Sequence, residues 1–208
     1  PNEDDDYCQQ PEHRQDKMTV VHSYYDDWYL TGLKASEDHG LNVALAFEDP
    51  ATDTNLTYDQ VLSPPLVVSH APSVQLYRAG EAAGEGIEAL AEGGDTSLLS
   101  AALLGVDGIC DVVTAAGPVP PGSAASVTIH GSSRHVVSAA AMLVNTNDAF
   151  AGLSGLRMPR SFAATSADVP AFDAGTEVND EMCANIPGPA CGGIGTDAGD
   201  GEGFVHVH

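Results

Sequence analysis

From Leu66 onward the chain is built of short apolar runs cut by turn residues. Leu66-Val67-Val68-Ser69-His70 follows Pro64-Pro65 and predicts a strand that starts behind a rigid turn. Asp111 to Thr114, Ala125 to His130 and Arg134 to Val144 predict three more strands separated by Gly, Pro and Ser, and Gly203 to His208 a last one. Two earlier segments, Met18 to Tyr25 and Leu41 to Phe47, also have strand character. The pattern changes between them. Glu85 to Ala91 reads as a short helix stopped by Gly93-Gly94, and a second helix starts at a cap on Asp95 or Thr96 and runs through Leu104. Short strands at this spacing, with helices confined to one insertion, predict an all-β fold: an antiparallel β-sandwich carrying one or two short helices.

Charge narrows the partners. Thirty acidic residues face seven basic ones, giving a net charge of −23. Such a surface repels nucleic acid and anionic membranes, so neither is an expected partner. It suits a saline habitat, where screening relieves self-repulsion, and it suits cation binding. No apolar run approaches the about 18 residues that span a bilayer, so no membrane insertion is expected. Four cysteines allow three pairings. Cys183 and Cys191 bracket a Pro/Gly-rich stretch and read as a local clip, which leaves Cys8 with Cys110. An even count without a CxxC motif favours an oxidising compartment, and a first residue other than Met suggests a processed start. The expected place is secreted or at a cell surface.

Candidate chemistry lies in oxygen-rich loops and in histidines. Asp173-Ala174-Gly175-Thr176-Glu177 sets two acids around a glycine, and Asn145, Asn147 and Asp148 offer more oxygens from a second loop. Calcium takes about six to eight hard oxygen ligands, so two such loops suit it. The plainer alternative is that these are ordinary turn residues. His206 and His208 stand two apart on a strand and share a face. With His70, His130 or His135 from a neighbouring strand they would form a three-histidine site for zinc, copper or iron; otherwise they are solvated or structural. Ser69, His70 and Asp168 permit a triad only in the sense that any chain rich in Ser and Asp does, and no GxSxG, HExxH or phosphate loop is present.

Asn55-Leu56-Thr57, Leu62 to His70, Asn145 to Phe150, Pro170 to Glu177, Ile186-Pro187-Gly188-Pro189 and Gly201 to His208 follow one another in an order that resembles the prokaryotic spondin domain, a relative of the F-spondin N-terminal domain. The resemblance covers residues 54–208 and leaves 1–53 as an N-terminal extension. It implies a sandwich similar to a C2 domain with one Ca²⁺ site, whose ligands carried over by motif are Asp148, Asp173 and Glu177. The animal pattern has Asp where Glu177 stands. The family pattern also has a strand before Asn55 and a closing strand after the His-Val-His segment. Residues 48–54 lack strand character here, so an early strand, or a strand borrowed from a neighbouring copy, is expected to complete the sandwich. The resulting expectation is a non-catalytic, calcium-stabilised adhesion or surface-interaction module that meets an extracellular protein or glycan. A structural subunit of an extracellular filament joined by strand exchange, and a His-based metalloenzyme, are the alternatives.

Overall fold

A computed structural model describes residues 28–35, 40–46, 60–121, 123–132, 134–158, 167–180, 182–193, 195 and 199–208. In chain order the strands are β1 (Trp28–Ala35), β2 (Gly40–Ala46) and β3 (Leu66–His70), followed by the helices α1 (Glu85–Gly93) and α2 (Ser97–Leu103). Then come β4 (Ile109–Thr114), β5 (Ala124–His130), β6 (Val136–Met142), β7 (Ala149–Arg157), β8 (Asp168–Val169), β9 (Ala171–Asp173) and β10 (His206–Val207). Two 3₁₀ turns, Cys183–Asn185 and Pro189–Cys191, precede β10. The expected strand at 18–25, residue Cys8 and the Asn55-Leu56-Thr57 motif lie outside the described residues.

The strands form two antiparallel sheets. The smaller has the order β5-β2-β1-β8 and the larger β10-β9-β7-β6-β3-β4. One face of the larger sheet, with Val67, Val137, Ala139, Ala151 and Leu153, packs on Ile129 and Val169 of the smaller. Its other face, with Leu66, Val68, Ala140 and Phe150, packs on Ile87, Leu90, Leu99 and Leu103 of the helices. The larger sheet is thus the middle layer of three. That explains why β3 and β6 are buried at every residue and read as continuous apolar runs rather than alternating ones.

An antiparallel β-sandwich with two short helices is therefore present as expected. Gly94 caps α1 in the left-handed conformation, and the Asp95 carboxylate accepts the Ser97 N–H at the start of α2. Strand β2 pairs with β5 without a break from Gly40↔His130 to Ala46↔Ala124, so an early strand of the same chain completes the smaller sheet. The Cys183–Cys191 disulfide forms as expected, with Cα atoms 4.8 Å apart. Cys110 is disulfide-bonded as well.

Candidate metal centre

The site sits where three strands of the larger sheet end together. Asp148 immediately precedes β7, Asp173 closes β9, and the pairings Ala149↔Asp173 and His206↔Asp173 bring β7, β9 and β10 side by side. Aromatic side chains fix these ends to the core. Phe150 and Phe172 stack with centroids 5.5 Å apart, and Tyr77 meets both edge-on at 5.1 and 5.0 Å. Both acids therefore project from rigid elements rather than from free loops.

After Asp173 the chain turns back sharply. Gly175 has φ +68°, and a Cβ there would strike the backbone of Phe204, so the turn lies directly on the 199–204 segment. Its N–H donates to Asp173 Oδ1 (2.7 Å), and Asn179 Nδ2 donates to Asp173 Oδ2 (2.7 Å). Asp148 Oδ2 accepts the Thr176 N–H (2.9 Å), the Thr176 hydroxyl (3.3 Å) and the Glu177 N–H (3.1 Å). Asn147 Nδ2 donates to Val178 O (3.0 Å) and ties the two loops together. Burial raises the Asp148 carboxyl above the ordinary carboxylate range, the Glu177 N–H pulls it back, and the nearby Asp173 charge adds to the rise. Asp148 Oδ1 is buried without a hydrogen-bond partner.

On the outer side of Asp173 a different donor set gathers. One ligand atom each from Asp173, Glu202 and His206 lies within 4.8 Å of the others. His206 Nε2 is 3.7 Å from Asp173 Oδ1 and 3.9 Å from Glu202 Oε2. The His206 Nδ1–H donates to Val207 O (3.2 Å), which leaves Nε2 as the ring atom that faces both carboxylates. A lone pair and two carboxylates at this spacing repel one another unless a proton or a metal ion stands between them. Asp173 is almost fully buried (1% exposed), whereas Glu202 is exposed and His206 half-buried, so the site is anchored inside and open outside.

The calcium expectation is corrected by this donor set. Calcium takes oxygen ligands, but the atoms brought together include an imidazole nitrogen, a donor typical of transition metals. Of the three acids expected to hold calcium, Asp173 belongs to this donor set, while Asp148 accepts the Glu177 backbone N–H and Glu177 is buried. Glu202 was missed from the sequence, and His206 was matched there with the wrong partners. The three-histidine site is not formed: His70 Nε2 is bonded to Ser138 Oγ (2.7 Å), His130 Nδ1 to Asp111 Oδ2 (2.9 Å), and His135 Nδ1 accepts the Ser132 N–H (3.0 Å). Ser69 and His70 face opposite sides of β3, which separates two members of the triad. The signal for Asp173, Glu202 and His206 was the β9–β10 register, which no local motif encodes.

Among the described residues no helix is long and apolar enough to cross a membrane. No curated protein matches the chain. The family model described as Spondin_N matches residues 50–183, taking in β3 to β9 and two acids of the site, Asp148 and Asp173. That match covers well over half of the 208 residues: the chain belongs to the Spondin_N family, whose members work outside the cell, secreted or at its surface.

Proposed function

We propose that this is an extracellular binding module in which Asp173, Glu202 and His206 hold a divalent transition-metal ion, with zinc the ion best suited to one imidazole and two carboxylates. The observation that carries the reading is His206 Nε2, turned by the Nδ1–H···Val207 bond toward two carboxylates within 4 Å. Glu202 and His206 belong to the segment that runs along the 173–177 turn, and Asp173 belongs to the sheet, so a bound ion would clamp that segment to β9. The role is binding rather than catalysis. Val178, next to Glu177, and Phe204, whose ring meets that of His206, are exposed apolar side chains suited to contact with an extracellular protein.

Calorimetric titration of the chelator-treated protein tests this. One zinc ion per chain is expected, with magnesium and calcium failing to compete. His206→Ala should weaken zinc binding by about a hundredfold or more, beyond the ten- to hundredfold that loss of a supporting partner costs. Zinc bound equally by wild type and His206→Ala would remove the reading.

A further inference from the structure

We infer that His208 is a fourth protein ligand, making the centre a four-coordinate site of two imidazoles and two carboxylates; this rests on the metal reading above. The Asp173 carboxylate lies between the two rings. Its Oδ1 is 3.7 Å from His206 Nε2, and its Oδ2 is 4.0 Å from His208 Nδ1. Donor atoms around a tetrahedral ion with metal–donor distances of about 2.0–2.1 Å stand about 3.3 Å apart. The spacings of 3.7 and 3.9 Å around His206 Nε2 therefore need to close by only a few tenths of an ångström, whereas His208, 4.0 Å from the other Asp173 oxygen and outside the three-residue group, has to turn inward to join them.

The backbone already points His208 to the right side. Residues two apart on a strand share a face, and the His208 N–H donates to Ala171 O (3.0 Å), which continues the β9–β10 ladder past His206. The His208 ring is half exposed, with Nδ1 already turned toward the Asp173 carboxylate. Asp173 is meanwhile held in place by the Gly175 N–H and the Asn179 side chain, the kind of support that orients a metal-bound carboxylate. A rigid acid at the centre, flanked by Glu202, His206 and a half-exposed His208, supplies the ligand number at which zinc sites with only protein donors close. The centre would then be a structural one, with little room for water on the ion.

Cobalt(II) substitution separates the coordination numbers, because tetrahedral cobalt absorbs visible light far more strongly than five- or six-coordinate cobalt. The full-length protein loaded with cobalt is expected to show the intense tetrahedral bands. His208→Ala should lose them while still binding the ion, with affinity down about tenfold or more. Because His208 is exposed, the melting temperature of His208→Ala in chelator should equal that of the wild type, which excludes misfolding as the cause. Unchanged bands and affinity in His208→Ala would overturn the fourth ligand and leave the three-ligand site standing. A wild type that takes up no cobalt would overturn both.

Discussion

His70 shows what a polar side chain requires inside an apolar sheet. It is 1% exposed, and every polar atom of its ring is engaged: Nδ1–H donates to Ala71 O (2.9 Å), and Nε2 accepts the Ser138 hydroxyl (2.7 Å), whose oxygen in turn accepts the Gly155 N–H (2.9 Å). With the Gly155 N–H on its oxygen, the Ser138 hydroxyl is placed to donate to Nε2, an arrangement suited to the neutral imidazole. Burial accordingly lowers the His70 pKa below the ordinary 6.5. A depressed folded value means that the contribution of His70 is complete above pH 6.5 and is lost as the pH falls toward the folded pKa. Denaturant titrations at neutral and mildly acid pH should therefore show a wild-type loss that His70→Gln largely lacks, the variant being weaker by about 1–2 kcal/mol at neutral pH. Parallel pH profiles for the two proteins would dissociate His70 from acid sensitivity. From the sequence, His70 was a candidate for a metal site or a triad; burial on both faces of β3 decides against both, and single-chain periodicity does not show which sheet is the middle layer.

Among the elements, those with a strong local signal were legible and those defined by a neighbour were not. The β3 and β6 runs, the glycine stop of α1 and the Pro/Gly-bracketed disulfide all stand out in the sequence. Strand β7 was not recognised, because Gly152 and Gly155 interrupt its pattern. Gly152 is there for Tyr77, whose hydroxyl lies where a Cβ would sit, a requirement set by a residue far away in the chain. The pairs β8 and β9 are two and three residues long, too short for any periodicity. The same locality explains the site: Asp148 and Asp173 lie in readable motifs, whereas Glu202 and His206 reach Asp173 only through the β9–β10 pairing. The Cys183–Cys191 clip is a device of this scale. Its loop is short, and Gly188 within it rests on the backbone of Val144 and Asn145, beside the 145–148 loop of the site. Replacing both cysteines by serine should cost about 2–3 kcal/mol by the chain-entropy estimate. Thermal melts should detect that loss, while zinc affinity, which depends on other residues, should change little.

For the whole molecule, the strands ahead of the resemblance are part of the sandwich. β2 is flanked by β1 and β5 in the smaller sheet, and that sheet covers Val67, Val137 and Ala151 of the middle layer. Removing residues 1–46 takes out β1 and β2, leaving β5 unpaired along its length. The truncated chain should melt at lower temperature at every concentration, and the full chain should sediment as a monomer because its strand partners are its own. A truncated protein that assembles into long polymers would instead support strand exchange between copies. The unbroken β2–β5 register also bears on timing. The β1–β2 hairpin is made early, but its partner Ala124–His130 follows only after the helices, and β3 gains its second neighbour only with Val136–Met142. Pairings this distant in sequence form slowly, since loop closure precedes any gain from contact. For a chain that works outside the cell, delay is useful: a polypeptide unable to close its core until most of it exists stays extended long enough to be threaded through a narrow export channel.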